Sequence, residues 1–86
     1  MQVGKLAQAS TVTHYVVQGY RKGARGRLQA DEPRIARDLN HCQVLAERVA
    51  ESRDGVIAFS RTGDTDTGDF DDPVIIATFG DIPEPN

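Results

Sequence analysis

Two short apolar segments separated by an acidic loop constrain the fold of this chain more than any other feature. Residues 55–60 (GVIAFS) and 73–79 (PVIIATF) are too short for helices and rich in β-branched side chains, which predicts two strands. A strand tolerates Pro73 at its first position because no ladder hydrogen bond needs a donor there. Residues 61–72 between them are rich in Gly, Thr and Asp, which favour turns. The segment predicts a long-looped antiparallel hairpin.

The rest of the chain predicts two further strands and one helix. Residues 11–20 are rich in β-branched and aromatic side chains, which is typical of a strand. Residues 27–37 predict a second, irregular strand, because Pro33 disfavours a helical conformation for its predecessor. Residues 39–52 predict an amphipathic helix with Asp38 as its N-cap. Its apolar stripe comprises Leu39, Cys42, Leu45, Ala46 and Val49.

The order strand, strand, helix, strand, strand predicts a single small α+β domain. One helix would pack on a mainly antiparallel four-stranded sheet. We expect this ββαββ domain to span residues 11–81, between a flexible N-terminal segment, residues 1–10, and a disordered tail, residues 82–86. The strand order stays open, because the first strand could pair with the last or only with the second.

Both apolar strands have apolar side chains on both sides, whereas one helix covers one side of a sheet. Each Val, Ile or Phe left exposed forgoes about 1.5–3 kcal/mol of burial free energy. We therefore expect a second cover over the sheet. A homodimer is the favoured explanation, with another protein or a curled loop as the alternatives. The candidate interface residues are Ile57, Phe59, Ile75 and Phe79.

Charged residues are divided unevenly along the chain, whose net charge is −3. Residues 1–43 contain seven cations and three carboxylates, and residues 44–86 contain three cations and ten carboxylates. Such a division steers charged partners, or lets two copies meet head to tail. Two loops are candidate binding sites. The basic loop carries Arg21, Lys22, Arg25 and Arg27, and the acidic loop carries Asp64, Asp66, Asp69, Asp71 and Asp72.

The basic loop has two interpretations. Its glycines and cations would suit a phosphate, and a nucleic-acid-binding protein could add Tyr15 or Tyr20 for base stacking. However, basic turns are common, and no Walker-type spacing accompanies this one. We therefore favour a solvated hairpin turn and keep nucleic-acid binding as the alternative function.

The acidic loop has enough carboxylates to suggest a calcium site. An EF-hand loop that began at Asp64 would need a glycine at its sixth position and an acidic residue at its twelfth. In this chain those positions are Asp69 and Ile75. The motif fails. We interpret the loop as a solvated segment that protects an apolar hairpin from aggregation, and we predict no metal and no cofactor.

Few side chains suggest catalysis. A single cysteine allows no internal disulfide, and its place on the apolar stripe predicts a buried, inert thiol at Cys42. His14 and His41 are too few for a structural zinc set, and Ser60 has no Gly-x-Ser-x-Gly context. We expect a non-catalytic protein with no small-molecule ligand. Without a long apolar segment or a leader, we expect it in the cytoplasm and not in a membrane.

Three segments carry a resemblance: residues 13–18 (THYVVQ), 58–64 (AFSRTGD) and 67–74 (TGDFDDPV). In these the chain resembles a group of short uncharacterised bacterial proteins, from about residue 13 to residue 83, with residues 60–74 the most specific part. The resemblance implies a small domain that stands alone and implies no activity. The resemblance leaves the function open, and the residues predict a small protein-interaction or accessory module that acts as a homodimer.

Overall fold

The computed structural model describes residues 11–83 as a small α+β domain with five strands and one α-helix. A 3₁₀ turn at Ala24–Gly26 joins the first two strands. The predicted flexible segment 1–10 and residues 84–86 of the predicted tail lie outside the described residues. The elements are β1 Thr11–Lys22, β2 Leu28–Ala30, β3 Arg34–Ala36, α1 Leu39–Ala50, β4 Gly55–Asp64 and β5 Val74–Gly80.

The sheet is antiparallel, and β1 and β4 form its centre. Their pairing runs from Thr11 opposite Asp64 to Tyr20 opposite Gly55. β5 pairs with the other edge of β4. The other edge of β1 is shared, because β2 pairs with residues 20–22 and β3 pairs with residues 15–17. The α+β class and the ββαββ order are thereby confirmed, with the second predicted strand divided into β2 and β3.

Residues 31–33 separate β2 from β3, where irregularity was expected. The backbone N–H of Asp31 donates to the carbonyl oxygen of Gly19 at 2.9 Å. The side-chain amide of Gln18 donates to the carbonyl oxygen of Asp31. Pro33 has no N–H to give to a ladder. The chain therefore leaves the edge of β1 at Asp31 and returns to the same edge as β3, which makes five strands instead of four.

One face of the sheet carries the helix and the buried core. The helix contributes Cys42, Ala46 and Val49 to this core, whereas Leu39 is 47% exposed at the first residue of the helix. The apolar stripe therefore begins one turn later than predicted. The buried side chains are Val17, Ala36, Cys42, Ala46, Val49, Val56 and Ala58.

The helix begins at the predicted cap. The Asp38 carboxylate accepts a hydrogen bond from the backbone N–H of His41 at 2.8 Å, which satisfies one donor of the first turn. Nδ1 of His41 accepts in turn from the backbone N–H of Arg37 at 3.0 Å. These two bonds fix the entry into the helix from both directions. His41 is therefore part of the cap.

A β-bulge in β5 changes which side chains face the helix. Ala58 lies opposite Ala77, but Phe59 lies opposite Ile75, so Ile76 is the extra residue. An extra residue reverses the alternation of side chains along a strand. Phe79 consequently packs against the buried core. Its placement beside Ile75, predicted from strict alternation, is wrong.

Candidate functional site

The face of the sheet opposite the helix carries a continuous row of apolar side chains. The register places Ile35 opposite Val16, Val16 opposite Phe59, and Phe59 opposite Ile75. Ile35 is 64% exposed and Ile75 is 57% exposed, while Val16 and Phe59 are half-buried. We call these four residues the apolar row. Of the predicted interface residues, Ile57, Phe59 and Ile75 lie on this face and Phe79 does not.

The ring of Phe70 covers one end of this face. Phe70 forms an isolated bridge with Gly63 of β4. Through its pairing with β1, β4 extends to Asp64, four residues beyond its predicted end at Ser60. The ring stacks on His14 with 6.0 Å between centroids and 21° between planes. The guanidinium carbon of Arg61 lies 5.3 Å from the centroid of the same ring. The loop therefore curls over the sheet, but it reaches only this end.

An open depression of about 490 Å³ lies between Phe70 and the apolar row. Its walls are mainly apolar, with the cation of Arg61 at one side. Because Val16 and Ile35 belong to both the depression and the apolar row, the two form one continuous surface. The lining residues are His14, Val16, Ile35, Arg61 and Phe70.

Two cations of the basic loop are paired with carboxylates of the chain itself. Arg21 Nε lies 3.2 Å from Oδ1 of Asp31, and Lys22 Nζ lies 2.7 Å from Oδ2 of Asp81. The hydrogen bond to Asp81 raises the pKa of Lys22. A hydrogen bond from Arg53, followed by the charges of Arg53 and Arg21, holds the pKa of Asp31 below its usual 3.8. These contacts reduce the positive charge that Arg21 and Lys22 offer a partner.

The other two cations of the basic loop lie at the tip of the turn. Arg25 has a φ of 63° and Gly26 a φ of 72°, and a hydrogen bond of 2.6 Å from the N–H of Gly23 to the carbonyl oxygen of Arg27 closes the turn. Both arginines are exposed. Within residues 11–83, neither forms an ion pair. Arg25 and Arg27 therefore supply the charge that the basic loop presents.

Hydrogen bonds from backbone N–H groups to nearby side chains form the turns of the acidic loop. The N–H of Asp66 donates to Oδ1 of Asp64 at 2.8 Å, and the N–H of Asp69 donates to Oγ1 of Thr67 at 3.2 Å. Such turns explain why Asp and Thr are abundant here. Among the residues that the structure describes, no group of three or more His, Cys, Asp or Glu is placed to hold a metal ion. The exposed carboxylates are those of Asp66, Asp69, Asp71 and Asp72.

The two charged loops lie at opposite ends of the sheet. Ten residue pairs join β1 and β4, which at about 3.4 Å per residue separates the ends by about 30 Å. The acidic loop follows Asp64 at one end, and the basic loop follows Tyr20 at the other. A contact between the two loops within one molecule is therefore excluded by distance.

The remaining side chains considered for chemistry are Cys42 and Ser60. Cys42 is fully buried on the side of the helix that faces the sheet, which confirms its predicted burial, and this burial raises the pKa of its thiol. Ser60 lies half-buried on β4, next to Phe59 of the apolar row. No helix within residues 11–83 has the length and apolar character needed to cross a membrane.

Comparison of the chain with protein-family models, with curated proteins and with solved structures finds no match. The resemblance carried by residues 13–18, 58–64 and 67–74 stays a prediction.

Proposed function

We propose that the chain is a small non-catalytic protein-interaction module that acts as a homodimer through the uncovered face of its sheet. The observation that supports this most is the apolar row, to which four strands each contribute one side chain. Ile35 and Ile75, at its two ends, are more than half exposed. Rows of this kind that cross a whole sheet are typical of surfaces that another protein covers.

The distribution of side-chain size supports the same proposal. The largest fully buried side chains under the helix are Val17, Val56 and Cys42. Phe79, Ile76 and Leu45 border this core and are only partly buried, and Phe59 and Ile75 lie on the uncovered face. Burying a side chain of this size contributes about 1.5–3 kcal/mol. A second copy would thus supply apolar burial that the core beneath the helix provides only sparingly.

The size of the uncovered face indicates how tightly two copies would bind each other. β1 and β4 pair over about 30 Å, but β3 has three residues and β5 has seven, so the footprint of the four strands is below about 450 Å². Standard interfaces bury about 800 Å² on each partner. We therefore expect a weak homodimer that dissociates on dilution.

A pair of substitutions in β5 tests the proposal. Ile75→Lys places a charge on the uncovered face and is expected to convert the dimer to monomers. Val74→Lys is the matched control, because Val74 is 63% exposed on the same strand but lies opposite Ser60 rather than Phe59. Light scattering behind a sizing column reports the mass of each. A wild-type chain that stays monomeric throughout a concentration series, or equal effects of the two lysines, would overturn the proposal.

Nucleic-acid binding through the basic loop is the competing function. It would rest on Arg25 and Arg27, because Arg21 and Lys22 are paired with carboxylates. Two phosphate contacts predict that log K falls with log salt at a slope of about −2. Titration with short oligonucleotides at low salt that shows such binding would favour this function over the interaction module.

A further inference from the structure

Resting on the proposed homodimer, we propose further that the two copies pack face to face with antiparallel strands, so that the basic loop of each copy contacts the acidic loop of the other. The partner is a second copy of this chain. The proposal depends on three features: the apolar row, the opposite charges of the two ends, and the bulge in the edge strand.

Two-fold symmetry allows few arrangements of two identical sheets. A two-fold axis parallel to the strands stacks the two uncovered faces with like ends together, so that acidic loop meets acidic loop and basic loop meets basic loop. An axis across the strands stacks the same faces with opposite ends together. In both arrangements the apolar rows of the two copies lie on each other, so apolar burial alone does not choose between them.

The charges at the two ends of the sheet favour one of these two arrangements. Within residues 11–83, the end that carries the acidic loop has the cation of Arg61, which lies over the ring of Phe70. At the opposite end, Arg21, Lys22 and Arg53 are paired with Asp31 and Asp81, and the carboxylates of Glu32 and Asp54 also lie there. Arg25 and Arg27, at the tip of the turn, are the cations of this end that form no ion pair within residues 11–83. Stacking like ends would oppose acidic loop to acidic loop and arginine to arginine. Stacking opposite ends places each arginine pair near exposed carboxylates, which favours the antiparallel arrangement.

A third arrangement, in which two copies extend one sheet by pairing their β5 strands, fits the structure less well. It would leave Ile35 and Phe59 exposed. The bulge at Ile76 interrupts the regular edge that a second strand would need. Face-to-face packing uses the apolar row and does not depend on the edge.

Charge reversal at one loop at a time provides the test. We compare Arg25→Glu/Arg27→Glu with Asp69→Lys/Asp71→Lys. In an antiparallel homodimer, each variant alone opposes like charges at both loop contacts. Sedimentation equilibrium at low salt is expected to show the dissociation constant of each variant raised about 10- to 100-fold over wild type.

An equimolar mixture of the two variants is the second sample. It is read together with the single variants, because stacking of like ends would also bring opposite charges together in the mixed dimer but would not weaken each variant alone. In the mixed dimer, the carboxylates introduced into the basic loop of one copy meet the lysines introduced into the acidic loop of the other, and the two unchanged loops also meet opposite charges. The mixed dimer is therefore expected within about threefold of the wild-type dissociation constant. Arg37→Glu/Arg48→Glu is the control, because it makes the same change of net charge as the basic-loop variant on the helix side and leaves the loops unchanged.

The outcomes separate this proposal from the proposed function. A monomeric wild type overturns both. A dimeric wild type whose affinity is unchanged by either loop variant, or a mixture that does not restore affinity, overturns the antiparallel arrangement alone.

A chemical cross-link provides an independent test if a charge-reversed variant fails to fold. Arg25→Lys keeps the charge and supplies an amine for a carbodiimide. Because the loops of one molecule are about 30 Å apart, a cross-link between residue 25 and residues 64–72 must join two copies. Mass spectrometry of the dimer band is expected to find it. Cross-linked dimers without this link would overturn the arrangement.

Discussion

The ring of Phe70 occupies the space above Gly63 that a β-carbon would fill. Glycine is needed at this position because of close approach and not because of a positive φ. The contact brings the acidic loop back over the sheet, where Phe70 stacks on His14 and lies beside Arg61. One missing side chain thus determines how the loop covers one end of the uncovered face.

We expect Gly63→Ala to lower the free energy of unfolding by about 1–3 kcal/mol, because the new methyl group overlaps the ring of Phe70. In a Phe70→Ala background the same change should cost less. Some cost should remain, since the carbonyl oxygen of Asp69 would still lie 2.6 Å from the new carbon. Denaturant unfolding of the four chains in this cycle measures the coupling. Strictly additive losses would show that the ring does not pack as described.

The cap at Asp38 gives a second prediction. Asp38→Ala removes the acceptor of the His41 N–H and should lower the free energy of unfolding by about 1 kcal/mol. Asp38→Asn keeps an acceptor oxygen and should retain most of the stability. Thermal unfolding of the two variants compares them directly. An equal loss in both would mean that the charge of Asp38 matters more than its hydrogen bond.

The carboxyl of Asp31 gives a prediction about pH. Because its pKa is lowered in the folded chain, its ion pairs stabilise the fold above the usual value of 3.8 and lose this effect as pH falls through the lowered pKa. Wild type should therefore exceed Asp31→Asn in stability at neutral pH, and the difference should shrink below pH 3.8. Chemical denaturation of both chains across this pH range measures the difference. A difference that stays constant with pH would contradict the role of the charge.

The same carboxyl allows a test of which arginine matters more. The hydrogen bond from Arg53 is the largest cause of the lowered pKa. Arg53→Gln should therefore raise the pKa of Asp31 more than Arg21→Gln does. Titration of the Asp31 carboxyl carbon by nuclear magnetic resonance measures both. A larger shift in Arg21→Gln would contradict the described contacts.

Because Cys42 is buried, we expect its thiol to react slowly with reagents in solution. The side chain is 0% exposed and its pKa is raised, so a disulfide reagent should modify it only when the chain opens or unfolds. Cys42→Ala/Val44→Cys is the matched comparison, because Val44 is 48% exposed on the same helix. Its thiol should react rapidly in the folded chain. Rapid modification of the native thiol would indicate a helix that does not stay packed.

Local patterns account for the elements that the sequence predicted correctly. The helix has a stripe at spacings of three and four and a capping side chain at Asp38, both of which act within a few residues. The hairpin of β4 and β5 likewise joins neighbours in the chain. Each of these depends on interactions between residues close in sequence, so the residues themselves reveal them.

The parts that the sequence did not predict depend on the exact register of paired strands or on contacts between distant residues. The bulge at Ile76 exists only in the register with β4, and it moves Phe79 to the core. The division of the second strand depends on Asp31, whose partners are at Gly19 and Arg53. The position of Phe70 depends on the conformation of the whole acidic loop, although an aromatic residue among aspartates is a signal of a fixed loop.

The central pairing of β1 with β4 has a consequence for the rate of folding. Its partners are separated by 35 residues at Tyr20 and Gly55 and by 53 at Thr11 and Asp64. The middle of the sheet therefore closes only after the intervening strands and helix have been brought into a loop, which costs chain entropy before any ladder bond forms. Domains dominated by such distant pairings fold in milliseconds to seconds. This chain should accordingly fold slowly for its size, with the β4–β5 hairpin and the helix forming before the centre of the sheet.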